Sequence, residues 1–208
     1  EAFSLLEAKI ASLKKTESSL VFSSGYATNL GVIQALTNKG DLILGDKWNH
    51  ASIIDGGRLS EAAFRTYPHG DNEFLETFLK EKRGNYQHVL LVTDSVFSMD
   101  GDCADLEALC RLKEKYDCWL MVDEAHATGV IGKNGTGLVN QLNLNTRIDI
   151  LMGTLSKALG SQGGFVAGNK NLIEYLINSA RSFIYSTGLN PAACGAAYKA
   201  IEILEKDT

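Results

Sequence analysis

The chain has 208 residues, 45% hydrophobic and 22% charged, which is the balance of an ordinary soluble globular protein. Its formal charge of −5 speaks against a nucleic-acid surface, which would need clustered Lys and Arg. No apolar run is long enough to span a bilayer and no cationic start leads into an apolar stretch, so neither a membrane partner nor a secretion signal is read, and a cytoplasmic location is expected.

In chain order, the first pattern is helical, with Phe3, Leu6, Ile10 and Leu13 on one face. A strand at 20–24 then leads into a helix at 25–37, and a strand at 41–46 into a helix at 50–61. A strand at 63–68 precedes a helix at 71–83, one at 88–94 precedes a helix at 104–116, and strands follow at 118–124, 148–154 and 164–168. Helices at 169–180 and 190–205 close the pattern. The strands are continuous apolar runs rather than alternating ones, as expected where helices cover both faces of a sheet. Such repetition predicts an α/β three-layer sandwich with a mostly parallel sheet, as one domain over 1–208. The chain begins inside one helical pattern and stops just after another, so it is expected to be part of a longer protein.

In a parallel sheet of this kind ligands bind at the carboxyl ends of the strands. The polar segments that follow the apolar runs are therefore the place to look for chemistry. SSGYATN at 23–29 joins a strand to a helix start, where free backbone N–H groups bind anions and Gly25 lets the backbone come close, although taken alone a plain helix cap is the better reading. No GxGxxG stands in this segment, and the Gly-rich run at 129–137 lacks the P-loop spacing. His50, in WNHAS, can stack on a flat ligand or move a proton, or be a structural first-turn residue. Asp123 ends the run WLMVD, and its carboxylate could face a cationic ring nitrogen, a metal ion or a helix start. His126 lies three residues beyond it.

Lys157 gives the sharpest signal. It follows a buried strand in TLSKALGSQGG, among Leu155, Ala158, Leu159 and Gly160 rather than among polar neighbours. Desolvation lowers a lysine pKa and frees a fraction of nucleophilic amine, which a Schiff-base lysine needs. A P-loop lysine is the rival, but here the glycines follow the lysine. Thr154 and Ser156 add hydroxyls suited to a phosphate. The four cysteines, Cys103, Cys110, Cys118 and Cys194, form no CxxC pair and have no histidine at ligand spacing, so reduced thiols and no metal site are expected.

TLSKALGSQG at 154–163 resembles the signature of the class II pyridoxal-phosphate aminotransferases. With SSGYATN, NHASIIDG at 49–56, VFSMDGD at 96–102 and DEAHATGVIG at 123–132, the chain resembles the α-oxoamine synthases over essentially its whole length. The resemblance implies the large domain of a fold-type I pyridoxal-phosphate transferase, without the N-terminal segment and C-terminal small domain of the complete enzymes. It implies pyridoxal 5'-phosphate as cofactor, amino-acid and acyl-thioester substrates joined with loss of carbon dioxide, and a homodimer with its active site at the interface. By position, it makes Lys157 the covalent anchor and a base, and Asp123 the partner of the pyridine nitrogen. It sets His126 on the phenolic oxygen, His50 on the ring face, Ser98 beside the cofactor, and Gly25, Tyr26 and Thr154 around it. Ser186 and Thr187, in FIYSTGLNP, match positions that reach the phosphate of the neighbouring subunit.

Overall fold

A computed structural model describes residues 1–206. The elements in chain order are α1 (Ala2–Lys14), β1 (Ser18–Phe22), α2 (Gly25–Leu36), β2 (Leu42–Asp46), α3 (Ala51–Leu59), β3 (Ala63–Tyr67), α4 (Asn72–Lys82) and β4 (Val89–Asp94). Then come α5 (Leu106–Lys115), β5 (Trp119–Asp123), α6 (Leu138–Gln141), β6 (Ile150–Thr154), β7 (Gly164–Gly168), α7 (Lys170–Ser179), α8 (Arg181–Ile184) and α9 (Pro191–Lys206). All seven predicted strands exist, as do the predicted helices. The helices start where Ser24, Asp71, Asp105 and Asn169 accept a backbone N–H from the first turn, each satisfying a donor that has no helical partner. The short helices α6 and α8 have only four residues each, too few for a periodic pattern.

One sheet runs in the order β1-β7-β6-β5-β4-β2-β3. Only β7 is antiparallel to its neighbours, so the other six strands end on the same edge. The apolar runs explain the layers. Val89 and Leu91 of β4 face a cluster with Leu6 and Ile10 of α1, Leu75 of α4, Leu109 of α5 and Ile201 of α9. Leu90 and Val92, one residue out of phase, face a second cluster with Val32 and Ile33 of α2, Ile53 of α3 and Leu176 of α7. Side chains alternate across a strand, so a strand buried on both faces must be apolar at every position. The result is the three-layer α/β sandwich the sequence predicts.

Two close approaches fix the geometry near the carboxyl edge. A Cβ on Gly164 would lie 2.6 Å from Gly25 N and Cα, so the start of α2 rests directly on β7. Lys14, at the end of α1, is fully buried and paired with Glu124 at 2.9 Å. Its other ammonium protons go to Thr128 Oγ1 at 2.7 Å and Thr136 O at 2.9 Å. Glu124 also accepts the Val139 N–H at 2.8 Å. This pair ties α1 to the long loop between β5 and α6.

Candidate active site

The carboxyl ends of the parallel strands open into a cleft of about 210 Å³. Its walls bring together Gly25 and Tyr26 from the start of α2, His50 after β2, Asp94 at the end of β4 with Ser98 beyond it, Asp123 at the end of β5 with His126 beyond it, and Thr154 at the end of β6 with Lys157 beyond it. Five separate segments of sequence thus meet at one place because the strands before them end on one edge of the sheet. A larger depression of about 470 Å³ lies at the opposite edge of the sheet, near His88, Trp119 and Tyr175. Its carboxylates are already paired, Asp41 with His88 and Asp149 with Lys113, and it offers no free nucleophile, so the chemistry belongs to the smaller cleft.

Asp123 is the deepest charged group in that cleft, at 3% exposure. Its oxygens accept the Asn29 amide at 2.8 Å and the Ala125 N–H at 2.8 Å, both neutral donors. Burial pushes its pKa up, and these hydrogen bonds and the more distant Lys157 ammonium only partly offset that. A carboxylate held in such a place, with neutral partners, is matched by a cationic group on a ligand. Asp94 stands beside it in register on β4 and accepts the His50 N–H at 2.7 Å. Burial, and then the neighbouring Asp123, push Asp94 up to about 8.

Lys157 Nζ lies 2.7 Å from His126 Nε2. Desolvation lowers the Lys157 pKa, against the pull of Asp123 and Asp94. The residue is nevertheless open to solvent on one side, so the amine is accessible to a ligand. Desolvation, and then Lys157, lower the His126 pKa, and its Nε2 stands within hydrogen-bonding reach of the amine. His50 caps α3, with Nδ1 accepting the Ser52 N–H at 3.2 Å, so its other ring edge is available to the cleft. Tyr26 is held at the cleft mouth by a hydrogen bond to Asp55.

Thr154 Oγ1 lies 2.9 Å from Gly163 O and 2.8 Å from Ser156 Oγ. Its proton is committed to the backbone, so it must turn to serve an anion, whereas Gly25 and Tyr26 begin α2 where N–H groups have no helical partner. Ser186 and Thr187 are not in this cleft. They are exposed, line a separate depression with Phe3 and Glu7, and Ser186 Oγ reaches Ser23 Oγ at 3.3 Å. Sequence reasoning missed Asp94, Asn29 and Ser52. Asp94 carried a readable signal, as a carboxylate closing an apolar strand like Asp123. The amide and the hydroxyl lie inside helices, where nothing local marks them.

No group of His, Cys, Asp and Glu among the described residues is arranged to hold a metal ion. The donor set fits a flat cationic heteroaromatic with an anionic tail. It offers an amine to bind covalently, a buried carboxylate for the ring charge, imidazoles near the ring, and a helix start for the anion.

The family model for aminotransferase class I and II matches residues 3–206. The 8-amino-7-oxononanoate synthase of Treponema denticola is 54% identical over 203 residues, covering 98% of this chain and 51% of its own. Among solved structures, the Sphingomonas wittichii serine palmitoyltransferase superposes with a TM-score of 0.94 at 33% identity, over 98% of this chain and 51% of that one. The 8-amino-7-oxononanoate synthase of Francisella tularensis superposes at 0.84 and 34% identity, over 100% of this chain and 60% of that one. The chain spans about half the length of the curated relatives it matches. With motifs, fold and relatives in agreement, the chain belongs to the aminotransferase class I and II family, and its relatives are α-oxoamine synthases.

Proposed function

We propose that this chain is the large, cofactor-binding domain of a pyridoxal-phosphate-dependent acyltransferase. The reaction would join L-alanine to a pimeloyl thioester, carried on coenzyme A or acyl carrier protein, with loss of carbon dioxide, as in the biotin-pathway enzyme 8-amino-7-oxononanoate synthase. The observation that carries this reading is the pairing of a desolvated lysine, Lys157, with a buried carboxylate, Asp123, in one cleft. A solved SPT structure described as holding PLP superposes at 0.92 and 33% identity.

When bound, pyridoxal phosphate supplies an electron sink for the pair of electrons left at the substrate Cα. Lys157 would hold it through its amine and, once displaced by the substrate, take and return the Cα proton at Nζ. His126, 2.7 Å away, shares that proton and would hydrogen-bond the phenolic oxygen. Asp123 would keep the ring nitrogen protonated by offering its charge in a place where water cannot screen it. His50 would cover the ring face and keep solvent from it, with Ser98 beside it. Gly25, Tyr26 and Thr154 would hold the phosphate. Ser186 and Thr187 lie outside the cleft, and in a homodimer we assign them to the cleft of the second copy. We place the protein in the cytoplasm.

The test is reduction of the pyridoxal-phosphate-treated full-length protein with borohydride. The Lys157 peptide should gain the mass of a phosphopyridoxyl group, and a peptide without it rejects the reading. Alanine with a pimeloyl thioester should then release carbon dioxide. Turnover only with glycine and acetyl-coenzyme A would instead mark the glycine C-acetyltransferase reaction.

A further inference from the structure

We infer that Asn29 and Ser52, which are assigned no role above, are positioning residues that join Asp123 and His50 in one hydrogen-bonded relay of fixed polarity. The inference rests on the proposed use of the cleft for its meaning, but not for its geometry. Asn29 Nδ2 lies 2.8 Å from Asp123 Oδ2 and 2.9 Å from Ser52 Oγ. Ser52 Oγ lies 2.7 Å from His50 Nδ1. Asn29 is 1% exposed and Ser52 0%, so water cannot substitute for the two bonds that Asn29 makes.

The direction of the relay follows from its one unambiguous donor. The backbone N–H of Ser52 points at His50 Nδ1 at 3.2 Å, so Nδ1 is an acceptor and carries no proton. The Ser52 hydroxyl must then donate to Nδ1, and can only accept from Asn29. A hydroxyl has one proton, so this step has no alternative. Asn29 therefore turns its NH₂ toward both Ser52 and Asp123, and Asp123 is an acceptor. Turning the amide over would set Asn29 Oδ1 2.8 Å from a carboxylate oxygen. In the orientation the relay demands, Oδ1 is buried with no partner, which is the strain of committing both amide protons to one side.

Two consequences follow for the cleft. His50 is the Nε2–H tautomer, so the ring edge away from Ser52 is a donor. Asp123 keeps an amide donor that works against its burial, and so holds more of its charge for a ring cation. Both residues sit inside helices α2 and α3, so packing of those two helices sets the electrostatics of the strand ends.

The test uses the full-length chain labelled with ¹⁵N-histidine, free of cofactor, with His50→Gln to assign the signal. The wild-type spectrum should show His50 protonated at Nε2 and bare at Nδ1. Ser52→Ala keeps the backbone N–H and removes the hydroxyl donor, so Nδ1 should stay bare while its ¹⁵N resonance moves toward that of a nitrogen with one hydrogen bond fewer, and Ser52→Thr, which keeps the hydroxyl, should restore the wild-type position. A wild-type His50 protonated at Nδ1, or an Nδ1 resonance indifferent to Ser52→Ala, overturns the relay. Asn29→Ala should weaken pyridoxal phosphate about tenfold by absorbance titration, the scale of one lost hydrogen bond to a charged group, and unchanged affinity overturns the Asp123 half. If the wild type binds no pyridoxal phosphate while the His50 Nδ1 resonance responds to Ser52→Ala, the proposed function fails and the relay stands.

Discussion

Lys14→Met tests how the site is held in place. Lys14 and Glu124 are both 0% exposed in their side chains and lie 2.9 Å apart. All three ammonium protons have partners, in Glu124, Thr128 and Thr136. Methionine fills most of the volume but leaves Glu124 Oε2 and Thr128 Oγ1 without their donor in a dry site, while Thr136 O keeps only Asn140 Nδ2 at 3.3 Å. Breaking a buried pair from one side costs about 3–5 kcal/mol, because the remaining charge is uncompensated. Replacing both partners costs less, so Lys14→Met with Glu124→Gln should recover part of the loss, since Gln Oε1 can still accept the Val139 N–H. Urea unfolding of these two variants and of Glu124→Gln alone, monitored by circular dichroism and compared by midpoint at equal slope, gives the three values of the cycle. A coupling of about 1 kcal/mol or more between the two positions is expected. Equal loss in the single and double variants, or a single-variant cost below about 1 kcal/mol, refutes the account. The residues affected are not remote: Glu124 follows Asp123, and the loop it anchors carries His126.

Three further outcomes follow from the same geometry. His69 lies 3.0 Å from Asp46 and 2.9 Å from Asp102 through its two ring nitrogens, which only an imidazolium can satisfy together. Burial opposes that charge but the two carboxylates outweigh it, and the pKa is raised from 6.5, so the clamp on the loop carrying Ser98 stabilises below the ordinary value and is lost as pH rises through the folded one. His69→Gln should therefore lower the urea midpoint at pH 6 and leave it nearly unchanged at pH 9, and equal losses would refute the clamp. Asp94 is raised from 3.8 to about 8 by burial first and Asp123 second, so the unfolded chain ionises it first and this group lowers stability as pH rises across that window. Relative to wild type, cofactor-free Asp94→Asn should gain stability from pH 4 to pH 8, and a flat difference would count against the shift. Gly164→Ala would drive a methyl into the start of α2, and a loss of about 1–3 kcal/mol in the same unfolding assay is expected; no loss would mean that α2 shifts freely.

What the sequence disclosed and what it hid have one physical cause. Strands such as Val89–Asp94 are readable because burial on both faces forces an apolar residue at every position, and that burden is local. Asp123, Asp94, His50 and Lys157 are readable in principle because a polar group directly after such a run has nowhere to be but the carboxyl edge. The antiparallel course of β7 was not legible, since a short apolar run reads the same in either direction. Lys14 and Glu124 were not legible either. A lysine on an amphipathic helix reads as a solvated one, and only the fold, across 110 residues of sequence, sets it against a glutamate. Asn29 and Ser52 fail for the same reason, because their partners lie 94 and 23 residues from Asn29. Polar groups that contact a ligand cluster at strand ends, where topology alone locates them. Polar groups that hold those in position are scattered through helix interiors, where only the assembled packing does.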